Sequence, residues 1–152
     1  MKIIQFLFLF LILTSCSSEN DANIPPQAIT PTLIASGSLY GSGSENIVQQ
    51  NIVVSNQADW TALINQMDTV NNTSSSFTEL NIDFDNYQLL LAFDQVRPTG
   101  GFSIAINNVT ETANTIEATV NVTGPGEIAT MVITQPFYIV KIPKSTKPVV
   151  FL

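Results

Sequence analysis

The chain has 152 residues and a mass of 16.5 kDa, with 45% hydrophobic residues and only 11% charged ones. Twelve acidic and five basic residues give a net charge of −7; histidine is absent and cysteine occurs once. That length suits one domain, the acidic balance lacks the electrostatic footprint of a nucleic-acid binder, and the inventory excludes Ser–His and Cys–His nucleophilic pairs, histidine-ligated zinc and an intrachain disulfide.

Lys2 precedes an apolar run, Ile3 to Leu13, broken only by Gln5. As a helix the run reaches about 16 Å, about half a bilayer core, so it predicts a secretory signal rather than a membrane span. Leu13-Thr14-Ser15-Cys16 follows and resembles the bacterial lipobox. The resemblance implies cleavage before Cys16, acylation of that cysteine, and a lipoprotein of the cell envelope at the outer membrane, on its periplasmic face or at the cell surface. Several acyl chains anchor stably where one does not. Glu19 and Asp21 resemble the export signals of surface lipoproteins in Bacteroidetes-type bacteria; an ordinary polar tether is the other reading. The expected organisation is a signal at 1–15, a lipidated cysteine and flexible linker at 16–32, and one β-rich domain at 33–152. Pro25, Pro26 and Pro31 argue against helix and sheet in the linker, and at full stretch it lifts the domain about 50 Å from the membrane.

Leu33–Tyr40 and Ile47–Ser55 read as strands around a Gly41–Ser44 turn. Asn56 reads as a helix N-cap, with Asp59 in the first turn. Trp60, Leu63, Ile64 and Met67 then recur at i, i+3, i+4 and i+7, the apolar stripe of a short amphipathic helix. The stripe places Trp60 in the core; a ligand platform is the competing reading. Thr69 to Leu80 reads as a polar loop with little to order its centre. Gln88–Gln95 is apolar enough for a central strand buried on both faces. Phe102, Ile104 and Ile106, and then Ile116, Ala118, Val120 and Val122, alternate with polar or small residues, as in half-buried strands. Gly124-Pro125-Gly126 is a turn; Ala129–Thr134 and Phe137–Ile142 read as strands flanking Gln135-Pro136; Pro148–Leu152 closes the chain as a short strand. These elements predict a mainly β, α+β fold: an antiparallel sheet or sandwich with one main helix.

Pro98 presets φ for a turn and Gly100-Gly101 permit positive φ, so Arg97–Phe102 reads as a tight hairpin connection, or as a loop presenting backbone amides and Thr99 to a partner. Pro136 interrupts a strand pattern and predicts an edge or a bulge. If the two segments share one end of the sheet, they form one recognition edge. Asp83 and Asp85, at i and i+2, would share one strand face about 7 Å apart, the one acid–base pairing left to a hydrolase; solvated carboxylates capping a strand are the simpler reading. Glu127 and Asp94 look isolated. Lys141, Lys144 and Lys147 gather near the C-terminus, either as a solvated edge that discourages strand pairing or as a site for an acidic partner.

Arg97-Pro98-Thr99-Gly100-Gly101-Phe102-Ser103-Ile104-Ala105-Ile106 resembles the PTGGY-x-I-x-I signature of the PrcB C-terminal family. Thr134-Gln135-Pro136-Phe137 through Lys144 resembles that family's TQPY-x-hydrophobic-x-K/R-I-P-K stretch, and Ile82-Asp83-Phe84 its lead-in. Phe102 and Phe137 stand where tyrosine is usual, which keeps the ring and loses a hydroxyl. The resemblance implies an exported or lipid-anchored protein without enzymatic activity, binding an envelope protein such as a protease within a surface complex. The residues it puts forward for a partner are Arg97, Pro98, Thr99, Gly100, Gly101, Phe102, Thr134, Gln135, Pro136, Phe137, Lys141 and Lys144. Asp68-Thr69-Val70 resembles a short Bacteroidetes-type O-glycan acceptor, with Thr69 as the acceptor.

The leading expectation is therefore a non-enzymatic assembly subunit, anchored by acyl chains, with no cofactor, no metal and no nucleic acid. The alternatives are a protease inhibitor acting through the 97–102 and 134–137 loops, and a glycan-binding module using Trp60, Phe102 or Tyr138.

Overall fold

A computed structural model describes residues 25–126 and 129–152; the signal sequence, Cys16, Glu19, Asp21 and Glu127 lie outside the described residues. Eight strands and one α-helix follow in the order β1 (Gln27–Ile29), β2 (Thr32–Leu39), β3 (Gln50–Val54), α1 (Gln57–Met67), β4 (Tyr87–Phe93), β5 (Ser103–Glu111), β6 (Ile116–Thr123), β7 (Gln135–Pro143) and β8 (Val149–Phe151). They make two four-stranded sheets, β1-β5-β6-β8 and β2-β7-β4-β3. All pairings are antiparallel except that of β6 with β8. The expected mainly β fold with one main helix is the observed one.

The alternation of β4 explains the layering. Leu89, Leu91 and Phe93 face Trp60, Leu63 and Met67 of α1, together with Phe137 and Ile139 of β7. Leu90 and Ala92 face the other way, onto Ile104, Ile106, Ile116 and Ala118 of the second sheet. A strand covered on both sides needs apolar residues at consecutive positions, which is the run read in the sequence. The molecule is thus a helix, a sheet and a second sheet in three layers, with β4 and β7 in the middle.

The helix starts where its cap signal stands. Asn56 is extended (φ −149°, ψ 158°), and its side-chain oxygen accepts from the Asp59 N–H at 2.9 Å. Trp60 is fully buried, stacks on Phe77 at 5.9 Å, and donates from Nε1 to the Leu80 carbonyl at 2.9 Å. That placement removes Trp60 as a glycan platform and makes it the keystone between helix and sheet.

Four expectations are corrected. Gln27–Ile29, inside the expected linker, is a strand paired with β5; the prolines flank it rather than interrupt it, and Ile29 packs against the core between the sheets. The polar loop is ordered at its centre by a 3₁₀ turn, Thr73–Ser76, because the Asp68 carboxylate accepts from both the N–H and the hydroxyl of Ser74. Ala129–Thr134 is no strand, apart from a single bridge between Thr134 and Arg97. Pro136 lies in β7, an interior strand, instead of at an edge or bulge.

Candidate functional site

The two motif segments meet at one end of the middle sheet. β4 ends at Phe93 and the next residue, Asp94, is a fully buried carboxylate. The Arg97 guanidinium grips it through two bonds, Nε to Oδ2 at 2.7 Å and Nη2 to Oδ1 at 2.9 Å. The Gln95 N–H donates to Oδ1 at 2.8 Å. Asp94 is therefore the centre of a network rather than an isolated acid. A buried carboxylate held by a bidentate guanidinium and a backbone amide has its lone pairs engaged and its charge compensated.

Pro136 shows how an interior strand accommodates a proline. In the register of β4 and β7, Asp94 lies opposite Pro136, and the Asp94 N–H donates to the Pro136 carbonyl at 2.9 Å. The reciprocal bond needs an N–H that proline lacks. The neighbouring side chain supplies the donor: Gln135 Nε2 reaches the Asp94 carbonyl at 3.0 Å and the Ile47 carbonyl at 2.7 Å. One buried amide thus repairs the ladder and ties down the segment before β3. The pairing of glutamine with proline in the Thr134–Phe137 segment has this structural reason.

The loop after Arg97 is clamped in turn. Arg97 and Thr134 exchange both backbone bonds, at 2.7 and 3.0 Å, and the Thr134 hydroxyl donates to the Thr99 carbonyl at 3.0 Å. The guanidinium lies 4.5 Å above the Phe102 ring, a cation–π contact that the missing tyrosine hydroxyl does not affect. Gly100 donates to the Thr130 carbonyl at 2.9 Å, and a Cβ on it would meet Thr130 Oγ1 at 2.2 Å. Gly101 has φ +86° and packs on Pro125. The segment is not the expected hairpin, because β4 and β5 belong to different sheets; it carries the chain across the sandwich, and the glycines allow two loops to touch.

Burial sorts the candidate residues. Thr134, Gln135, Pro136, Phe137 and Gly100 are buried; Arg97, Thr99 and Phe102 are half-buried; Pro98 and Gly101 are exposed. The half-buried and exposed residues are open to contact; of the buried ones, Phe137 borders a surface groove. The exposed rim around them is apolar: Val96, Val132 and Ile133 are each exposed by 40% or more, and Met131 by 97%. Sequence reasoning passed over Val96, Met131, Val132 and Ile133, having placed the last three in a strand. It also passed over Asp94, whose signal was an acid ending an apolar strand with an arginine three residues on.

The other candidates lie elsewhere. Lys141 belongs to the interior strand β7, so the edge-protecting reading fails for it; it pairs with Glu79 and sits 4.8 Å above the Tyr87 ring. Lys144 donates to the Phe84 carbonyl, and Lys147 binds Glu111 at 2.8 Å and the Thr112 carbonyl at 2.7 Å. The three ammonium groups serve three separate internal contacts. Asp83 opens a turn and Asp85 lies within it, instead of the two sharing a strand face. Asp83 accepts from the Asn86 side chain at 2.8 Å and from the Asp85 N–H at 3.1 Å, and the Asn86 bond foremost holds its carboxyl below the usual aspartate range. The strand-face geometry expected for an acid–base pair is therefore not the one observed. Thr69 is exposed at the end of α1, its hydroxyl donating to the Asn65 carbonyl at 3.2 Å.

The fold and this clasp define a β-sandwich whose polar network holds loops in place. Residues 89–143, from within β4 through the end of β7, match the family model described as PrcB C-terminal. The chain thus carries a PrcB C-terminal-like domain over that span. No curated protein and no solved structure matches the chain.

Proposed function

We propose that this chain is a non-enzymatic, lipid-anchored subunit of an envelope complex, and that its partner is a protease or another envelope protein. The observation that supports this best is the family match over 89–143, whose signature residues surround the clasp. Asp94, Arg97, Thr134 and Gln135 point their polar groups inward and position the rim of Val96, Pro98, Phe102 and Met131–Ile133 for contact. An exposed, partly apolar rim suits docking onto a protein surface.

The anchor in this proposal is acylated Cys16, supported by Lys2, the apolar run to Leu13 and the small residues before the cysteine. The location proposed is the outer membrane. Mass spectrometry of the mature protein should find the N-terminal cysteine acylated; a free thiol there removes the anchor.

The subunit reading is tested by purifying the native full chain from membranes. A partner should co-elute in fixed stoichiometry and be lost with Met131→Glu, a change at a fully solvated side chain that leaves the melting temperature unchanged. A chain that elutes alone overturns it; a partner indifferent to the rim overturns the rim as the docking face.

A further inference from the structure

The edge of β2 offers a second, differently built surface. Pro136 points its carbonyl toward β4, so Gln135 and Phe137 turn their backbone groups toward β2. Their partners Leu39 and Gly37 therefore face inward, and Ser36 and Ser38 turn their N–H and C=O groups outward. None of these four groups has a hydrogen-bond partner among the described residues. Closer to the start of β2 the same edge is covered, since Thr78 donates from its N–H and hydroxyl to the Ile34 carbonyl. The open stretch carries no charge or proline, devices that usually blunt a free edge, and the register shift of β2 lies before it, between Leu33 and Ala35.

A groove flanks this stretch on each face. One, of about 360 Å³, lies toward the 3₁₀ turn and is lined by Tyr40, Asn71, Asn72, Ser75 and the ring of Phe137, reached because Gly37 has no side chain. The other, of about 350 Å³, opens between the sheets and is lined by Phe102, Ser103, Ile104, Ala105 and Tyr138. Among the described residues, no charged side chain lines either groove.

We infer that β2 receives an extended segment of a partner protein as an added strand. The segment would pair through its backbone with Ser36 and Ser38 and place successive side chains in the two grooves alternately. Strand addition works in this way: the main chain supplies attraction and alternate pockets supply selectivity. The groove between the sheets asks for an uncharged branched or aromatic side chain, and the groove beside the 3₁₀ turn for a polar uncharged one. A second copy of β2 fits poorly, because antiparallel self-pairing would offer serines and a glycine to grooves that large. The inference rests on the reading of the chain as a binding subunit, and it names the mode of contact.

The test uses the full chain and a displayed library of short linear peptides. Enriched peptides should be free of charge and proline at the paired positions. Their binding should slow amide exchange at Ser36 and Ser38. Ser38→Pro removes an outward N–H without touching the ladder to β7, and Ala105→Trp fills the groove between the sheets. Each should weaken binding by about tenfold at an unchanged melting temperature. An empty selection, binding undiminished from the unaltered chain in both variants, or a dimer of the chain that Ser38→Pro dissolves would each overturn the inference. A native partner that still co-elutes with Ser38→Pro overturns strand addition alone and leaves the subunit reading standing.

Discussion

The two regions flanking the middle sheet are held together by different physics. Beneath α1, Trp60, Leu63, Met67, Leu91 and Phe137 make a dry layer whose cohesion is area removed from water. At the loop end, Asp94, Arg97, Thr134 and Gln135 make a polar clasp whose bonds are directional. The first can be repacked with other side chains of similar volume; the second works only with these groups at these distances. An apolar layer thus supplies most of the stability, and a polar clasp supplies the position of the loops.

The largest effect should come from breaking the apolar side. Trp60→Ala should cost about 4 kcal/mol, from lost burial and the cavity left behind. Denaturant titration reads it, and hydrogen exchange should loosen cooperatively throughout both sheets. Arg97→Met comes next, at about 3 kcal/mol, because it strands a buried carboxylate. Here exchange should quicken first at 97–102 and 130–134; a uniform loosening would erase the distinction between the regions.

Gln135→Leu keeps the volume and removes the donor to two buried carbonyls, those of Asp94 and Ile47. A loss of about 2 kcal/mol is expected by denaturant titration, with local opening of the segment before β3. An unchanged stability would mean that the clasp does not depend on this amide.

The smallest effect concerns Asp83, which lies in neither region. Its folded pKa is depressed, so the bond from Asn86 contributes above the ordinary aspartate pKa and fades as pH falls through the lower, folded value. Asn86→Ala should move the Asp83 midpoint upward in an NMR titration and leave global stability nearly unchanged. A midpoint that stays put would assign the depression to the backbone amides instead.

The helix-side region was legible in the sequence because its signals are local and periodic. The Asn56 cap, the stripe through Met67 and the unbroken run Leu89–Phe93 each declare their place within a few residues. The clasp was half legible. Its two motifs stood out as segments, yet Asp94 looked isolated and Pro136 looked like an edge residue. The partners that explain them come from far along the chain: Gln135 is 41 residues from Asp94 and 88 from Ile47. No periodicity encodes such a meeting.

The amino-acid order alone therefore settled the mainly β character, the single main helix with its cap and buried stripe, and the strand buried on both faces. Hydrophobic period and capping chemistry act over one or two turns, and can be read without a partner. Tertiary structure alone decided which sheet each strand joins, that β4 and β5 part company across the sandwich, and that the motif glycines allow two loops to touch. It alone left Ser36 and Ser38 uncovered. A free edge, a close approach and a buried ion pair are properties of chains brought together, and each depends on what stands opposite rather than on what comes next.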